Sequence, residues 1–321
     1  PAASGLQVTT DGQPKIVDLI DGTGSGDVDT STVQVAHNGT LKGLTGKTLQ
    51  LPSAWISASR EFHLGLKPAY QLYPPALVNR LKRERREAFI AQQQTAETAL
   101  REQINALSES RQNADAKGTP DVNDLREQLR QLRQVTTKFK DPGPLFDCLV
   151  FHDGSRWQAV VDTDEDGDLT EEVLLTNFRD QRRYATFRGS AELPFSVNIF
   201  SEGNLLSIVT TSDPHGTHVA GIVGAHFPNQ PALNGIAPGV QIVSVKIGDT
   251  RLGSMETASG LERGVMATIS NRCDLVNMSF GEPTRTPDRG WLTELFSQLV
   301  DEHGVIFVAS AGNAGPALST V

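Results

Sequence analysis

The residues with the clearest chemical potential are two histidines in the segment DPHGTHVAG, residues 213–221. His215 follows a proline where a helix is predicted to begin, and the nearby glycines leave room for a substrate to approach. A histidine in this position can serve as a general base, whereas His218 is predicted to pack within the next turn. A zinc site is disfavoured, because a zinc-binding helix of this kind needs two histidines four residues apart around a glutamate.

Apolar runs and helical patterns alternate downstream of these histidines. The apolar runs cover residues 234–247, 273–281 and 304–315, and helical periodicity covers residues 255–271 and 291–303. This order predicts an α/β fold with a doubly wound parallel sheet. In such a sheet the functional residues stand at the carboxyl ends of the strands, so we expect a site there.

The histidine segment and the two later strand ends resemble motifs of the subtilisin-like serine peptidases. The first histidine of the family motif takes the proton from the nucleophilic serine, which assigns that role to His215. The segment from Ser279 to Gly281 resembles the one whose backbone pairs with the substrate as an additional strand. Asn313, in SAGNAG, resembles the asparagine whose side-chain amide donates into the oxyanion hole.

The resemblance is closer to the tripeptidyl-peptidase branch of that family and extends over nearly the whole chain. It is carried by the segments QVTTDGQPKIVD, GSGDVD, DPGP, DGDL, GNLLSIVT and KIGDTRL, which begin at residues 7, 24, 141, 166, 203 and 246. In that branch two glutamates bind the amino terminus of the substrate, and they match Glu256, expected to open a helix, and Glu282. The resemblance implies a serine exopeptidase that releases tripeptides from oligopeptides with free amino termini. It also implies a large cytoplasmic homo-oligomer that needs no cofactor.

Two members of the expected catalytic triad are missing from the sequence. No Gly-Thr-Ser-Met motif occurs, and residues 1–5 resemble the tail of the segment that follows the family's catalytic aspartate. We therefore expect an internal fragment that is catalytically incomplete by itself. Asp21, at the end of another apolar run, is a rival for the aspartate, although the branch places a matching segment after the true one. A plain endopeptidase and a non-catalytic interaction module on a peptidase fold are the alternatives.

The composition restricts the partners. A net charge of -9 over 321 residues argues against a nucleic-acid-binding surface. Cys148 and Cys273 lie far apart, which excludes a disulfide framework and fits a reducing compartment. No signal peptide or apolar run long enough to cross a bilayer is visible, so no membrane partner is predicted.

We expect three parts along the chain. Residues 1–30 begin the peptidase domain, residues 31–205 form an insertion, and residues 206–321 form the peptidase core. Within the insertion, residues 76–140 are predicted to form an antiparallel helical hairpin from the apolar spacing of Ala96, Leu100, Ile104, Leu107, Val122, Leu125, Leu129 and Leu132. We favour a solvated helical pair, with an oligomer contact as the alternative.

The rest of the insertion contains two predicted β-hairpins and two motifs that resemble ligand loops. The hairpins turn at residues 152–155 and 201–204. The segment from Asp162 begins like a calcium loop, but its twelfth position is Val173 and no convincing helix precedes it. A solvated acidic turn is therefore favoured, with calcium as the alternative, and no metal site is predicted. The segment GLTGKT has Leu41 where a phosphate-binding loop needs glycine, which argues against a nucleotide role.

Overall fold

The computed structural model describes residues 2–55, 60–110, 122–189, 191–281 and 288–313, and the side chains of residues 109 and 110 are excluded. In chain order, β1 to β16 span Ile16–Asp21, Asp27–Asp29, Thr32–Val35, Thr40–Lys42, Thr48–Gln50, Glu61–Pro68, Leu145–His152, Trp157–Val161, Ala185–Thr186, Pro194–Phe200, Leu205–Val209, Ile242–Lys246, Gly248–Asp249, Met255–Glu256, Leu275–Met278 and Ile306–Ala309. The α-helices α1 to α6 span Pro75–Ser110, Val122–Lys138, Phe178–Gln181, His215–Gly224, Ala258–Ser270 and Trp291–Asp301. The chain divides into two compact units, residues 76–143 and the remainder.

The smaller unit is a helical hairpin, as the apolar spacing predicts. Phe89 of α1 stacks on Phe139 with ring centroids 3.9 Å apart. Further along α1, Glu97 lies 2.8 Å from Arg133 of α2. Because later residues of α1 meet earlier residues of α2, the two helices run antiparallel.

The parallel strands of the larger unit come as two pairs. β1 pairs with β12, from Ile16 opposite Ile242 to Asp21 opposite Lys246. β15 pairs with β16, ending with Met278 opposite Ala309. Since paired parallel strands end at the same edge, residues that follow β15 and β16 are brought together.

Antiparallel sheets form most of the remaining strands. One has the order β3-β6-β7-β8, and another has the order β2-β11-β10-β9. The predicted hairpins are present as β7 with β8 and β10 with β11. Buried apolar side chains of β6, β7 and β8 form one core cluster with side chains of β4, β5 and the loop after β8. Its members are Leu41, Leu49, Phe62, Leu64, Leu149, Phe151, Val160 and Leu169.

A separate apolar cluster lies beneath the second parallel pair. Val265 of α5, Leu299 of α6 and Val305 are buried together, with Val276 and Phe307 packed against them. This packing fixes β15 and β16 against the two helices. The ends of these strands therefore project from a rigid base.

Candidate active site

His215 is the first residue of α4 and its side chain is exposed. Its backbone N–H donates to Oδ1 of Asp213 over 2.7 Å, so this aspartate satisfies one of the unpaired donors at the start of the helix. A Cβ at Gly216 would have no described heavy atom within 4 Å. The histidine ring is thus held at a helix start with open space beside it. Among the described residues, no carboxylate or hydroxyl is hydrogen-bonded to the ring.

The ends of β15 and β16 present the other two sequence-predicted elements. The N–H of Ser310 donates to the carbonyl of Met278 over 3.2 Å, which joins the two strand ends. The hydroxyl of Ser279 accepts a hydrogen bond from the side-chain amide of Asn277 over 3.0 Å. Asn277 was not singled out from the sequence, although its place two residues before a substrate-pairing serine is a signal that could have found it.

Asn313 follows β16 and is exposed, three residues beyond Ser310. The intervening Gly312 has a φ of 76°, a left-handed conformation that glycine adopts without strain. This turn redirects the chain shortly after β16. Because Asn313 is exposed, its side-chain amide is available as a hydrogen-bond donor.

One cavity of about 1680 Å³ brings these groups together. His215, Ser279, Gly281 and Asn313 all line it. This space is larger than the ~300–1,000 Å³ of a usual small-ligand pocket, and it also extends to Val265 of α5 and Leu299 of α6. A base, an amide donor and a strand edge around one space are the parts needed for acyl transfer.

The comparisons with known proteins agree with this geometry. A model described as the subtilase family, peptidase S8, matches residues 92–321. The chain belongs to the subtilase family.

Comparison with individual relatives shows which subtilases this chain is similar to. The chain is 46% identical to Tripeptidyl-peptidase 2 of Oryza sativa subsp. japonica and 45% identical to that of Arabidopsis thaliana. Each alignment covers 100% of this chain and 24% of the relative, so the chain spans about a quarter of their length. A crystal structure of Tripeptidyl Peptidase 2 (TPP II) superposes with a TM-score of 0.73 at 28% identity, covering 99% of this chain and 25% of that one. The resemblance and the α/β fold class expected from the sequence are confirmed.

Glu256 of this subtilase is not on a helix, contrary to the sequence-based expectation. It lies in β14, where it pairs with Gly248 of β13. Thr257 is the residue before α5, and its hydroxyl accepts from the N–H of Gly260 over 3.1 Å. Thr257 therefore caps α5, and the helix begins after it. Glu256 precedes the cap and is held in extended backbone by its pairing with β13.

The position of Glu256 relative to the cavity is defined through that ribbon. Gly248 and Ser254 line the cavity, whereas Glu256 is not one of its described lining residues. The Glu256 side chain is half-buried. Glu282, the second glutamate expected from the sequence, lies outside the described residues. The role of both glutamates stays a prediction.

Asp21, the rival triad member, belongs to a buried structural network. Its carboxylate accepts hydrogen bonds from Thr23 and Ser25 and from the N–H of Gly26, over 2.6–3.1 Å. Lys246 lies opposite, with Nζ 3.5 Å from Oδ2 of Asp21 and 2.6 Å from the hydroxyl of Ser25. Burial lowers the pKa of Lys246, an effect that the charge of Asp21 opposes.

The tight turn around Asp21 leaves no space for a side chain at Gly26. A Cβ at Gly26 would lie 1.9 Å from the carbonyl oxygen of Ile208, so only glycine fits. Because the oxygens of Asp21 are committed to this turn and to Lys246, the carboxylate is placed as a structural group. It is not hydrogen-bonded to His215 in the described part of the chain.

The phosphate-loop-like segment of this subtilase holds a carboxylate instead. The buried Asp147 accepts from the N–H groups of Leu44 and Thr45 and from the hydroxyl of Thr45. The turn is thus an anion-binding turn whose anion is supplied by the chain itself. This contact agrees with the argument against a nucleotide role.

No helix among the described residues is long and apolar enough to cross a membrane.

Proposed function

We propose that the protein containing this chain is a serine exopeptidase that removes tripeptides from the free amino terminus of oligopeptides. The observation that carries the proposal is that His215, Asn313, Ser279 and Gly281 line one and the same cavity. The identity with Tripeptidyl-peptidase 2 relatives along the whole chain supports it.

Each lining residue has a defined task in this proposal. His215 accepts the proton of a nucleophilic serine and then delivers it to the leaving amine. The amide of Asn313 donates to the oxyanion of the tetrahedral intermediate. The backbone at Ser279 and Gly281 hydrogen-bonds the substrate as an added strand, which aligns the scissile bond. The serine and the orienting aspartate are assigned to parts of the protein outside this chain, which covers about a quarter of its relatives.

The exopeptidase specificity is assigned to Glu256 and Glu282. A free α-amine has a pKa of about 7.7–8.0, so most substrate carries a positive charge at pH 7. Carboxylates at the far end of the substrate strand would hold that ammonium at a fixed distance from the scissile bond. This arrangement would set the length of the released product, whereas an endopeptidase needs no charge there.

The proposed location is the cytoplasm, in a large homo-oligomer. Cys148 and Cys273 are free thiols in the structure, and free thiols persist in a reducing compartment. Assembly into large particles is a proposal drawn from the family resemblance.

The intact protein offers a direct test. Two peptides of one sequence, with a free or an acetylated amino terminus, are incubated with it, and the products are identified by mass spectrometry. We expect tripeptides from the free peptide and little cleavage of the acetylated one. Equal cleavage of both peptides would replace the proposal with an endopeptidase. Absence of cleavage in a folded, intact protein would favour the non-catalytic interaction module.

A further inference from the structure

Three carboxylates converge in the loop that follows β8, far along the chain from the histidine segment. One oxygen each from Asp162, Asp164 and Glu172 lies within 4.8 Å of the others. Asp162 is only 1% exposed, and the side chain of Glu172 is 5% exposed. Asp164 is exposed, but like charges held this close repel each other strongly where two of the three are shielded from water. A bound cation or a shared proton relieves this repulsion.

One carboxylate oxygen of Asp162 lacks a hydrogen-bonding partner among the described residues. Oδ2 of Asp162 accepts from the N–H of Gly167 over 3.2 Å. Oδ1 of the same carboxylate is buried and has no hydrogen-bond partner among the described residues. Buried polar atoms in folded proteins are nearly always paired. An ionised carboxylate oxygen can be satisfied only by a donor or by a cation.

The order of residues in the loop matches that of a calcium-binding loop. Asp162, Asp164 and Asp166 occupy the first, third and fifth positions, and Gly167 occupies the sixth, where a sharp turn is required. The φ of Gly167 is 81°, in the left-handed region that this turn needs. The sequence arguments against calcium are the valine at the twelfth position and the lack of a convincing helix before the loop.

The structure supplies the closing carboxylate from the preceding residue. Oε1 of Glu172 accepts from the N–H and the hydroxyl of Thr163 over 2.8 and 2.7 Å, so Glu172 folds back over the start of the loop. The loop enters from a strand rather than a helix, and its middle is fixed to β5. Gln50 donates to the carbonyl of Gly167 over 2.8 Å and accepts from the N–H of Leu169 over 3.1 Å. Asp162 and Glu172 are shielded from water while Asp164 is exposed, so only part of the loop matches the solvated acidic turn favoured by the sequence.

Two cationic side chains already approach the loop. Arg188 contacts Oδ2 of Asp164 over 2.6 Å and lies 3.9 Å from Oε1 of Glu172. Nζ of Lys47 donates to the backbone carbonyl of Glu165. Neither cation is hydrogen-bonded to Oδ1 of Asp162. Arg188 also donates to the backbone carbonyl of Glu171 over 2.5 Å, and this contact can hold it when Asp164 binds another cation.

We propose that Asp162, Asp164 and Glu172 bind a calcium ion, which closes the loop of residues 162–172 against β5. All three donors are carboxylate oxygens, the hard ligands that calcium prefers, and the cluster has no thiolate or imidazole that would favour a transition metal. Backbone carbonyls and water complete the shell of six to eight oxygens found around calcium. The ion stabilises the insertion and is independent of the peptidase chemistry.

Adjacent glutamates provide a matched pair of variants. Glu172→Gln removes a proposed ligand, whereas Glu171→Gln makes the same chemical change one residue earlier on an exposed side chain. Asp162→Asn is the second test variant. The intact protein is stripped with a chelator and dialysed against radiolabelled calcium in the presence of magnesium, and its folded state is checked by circular dichroism.

We expect the wild-type protein and Glu171→Gln to bind one more calcium ion per chain than Glu172→Gln or Asp162→Asn. Loss of an outer-shell partner already costs a metal site about 10–100-fold in affinity, so loss of a direct ligand should raise Kd by ~100-fold or more. Calcium should also raise the melting temperature of the wild type and of Glu171→Gln.

Two results would overturn the proposal. The first is a wild-type protein that binds no calcium, which would leave Arg188 and Lys47 as the counter-ions of the cluster. The second is equal calcium binding by the two glutamine variants, which would place the ion elsewhere. If Asp162→Asn does not fold, the glutamine pair alone decides the question.

Discussion

The polar groups at the end of β1 and the proposed catalytic groups differ in their exposure to solvent and in their hydrogen bonding. Asp21 and Lys246 have side chains 0% and 5% exposed, and the Asp21 oxygens are occupied by near neighbours. His215 and Asn313 are both exposed and line the large cavity, whereas Lys246 lines it while being buried. The first group is committed to holding the fold, whereas the second is available to a substrate. Substitutions should therefore separate stability from catalysis.

The largest effect is expected from His215→Ala in the intact protein. Loss of the general base should lower kcat by about 10⁴-fold or more, with KM little changed. His218→Ala is the matched control, because both histidines lie on α4 with exposed side chains. Steady-state kinetics with a free peptide measure the difference. A comparable loss of kcat in both variants would contradict the assignment of His215 as base.

Lys246→Met tests the buried side of the comparison. Removing one partner of a buried ion pair leaves an uncompensated charge, which costs about 3–5 kcal/mol. Amide hydrogen exchange in β1 and β12 should then accelerate by about a hundredfold or more. Arg263→Met removes an exposed ion pair to Asp27 and should cost less than about 1 kcal/mol. Equal exchange in the two variants would show that Asp21 needs no buried counter-ion.

Asn313→Ala should weaken catalysis without weakening substrate binding. Removal of such an oxyanion donor in a subtilisin is associated with a loss of about 10²–10³ in kcat. We expect a loss of that order for the free peptide in the intact protein, with unchanged thermal stability because Asn313 is exposed. A rise in KM alone would mean that Asn313 contacts the ground-state substrate instead.

Glu256→Gln concerns recognition rather than chemistry. A charge-assisted hydrogen bond contributes ~1.5–3 kcal/mol, so kcat/KM for a free peptide should fall by about 10–150-fold. The acetylated peptide should be a poor substrate before and after the change. Glu262→Gln, on the exposed face of the following helix, is the control. An equal loss of kcat/KM for both peptides would assign Glu256 a structural role.

The smallest effect is a pH dependence from Lys67. Burial lowers its pKa to about 8, and its ammonium donates to the carbonyl of Asp27 over 2.8 Å. Between pH 8 and the unfolded value near 10.5, the unfolded chain binds more protons, so stability rises with pH by about 1.4 kcal/mol per unit at most. Thermal unfolding of the wild type and Lys67→Met at pH 8 and pH 10 isolates this gain. A rise of equal size in both proteins would exclude Lys67 as its source.

The sequence was sufficient where local pattern and chain order determine the structure. β12, α5, β15, α6 and β16 all lie in the regions that periodicity assigns to them. The motif resemblance also located His215, Ser279 and Asn313, which line one cavity. These residues are found from sequence because each stands at the start of a helix or the end of a strand.

The sequence was insufficient where the structure depends on contacts between residues far apart in the chain or on very short strand pairings. The carboxylate in the glycine-rich turn comes from Asp147, about a hundred residues downstream, which no local pattern reveals. Glu256 differs from its expected helical position because a two-residue strand pairing is too short to leave a periodic signal. The approach of Glu172 to Asp162 and Asp164 is not predicted from sequence, because the loop pattern expects its last carboxylate at the twelfth position.

The pairing of β1 with β12 has a consequence for the order in which the protein folds. Ile16 and Ile242 are partners although the whole insertion lies between them. At synthesis rates of about 5–20 residues per second, β1 leaves the ribosome roughly 10–45 s before β12. The local hairpins β7–β8 and β10–β11 can form during that interval, because short loops close quickly. β1 therefore waits without its parallel partner until β12 has been made, so the pairing of these two strands is a late step of folding.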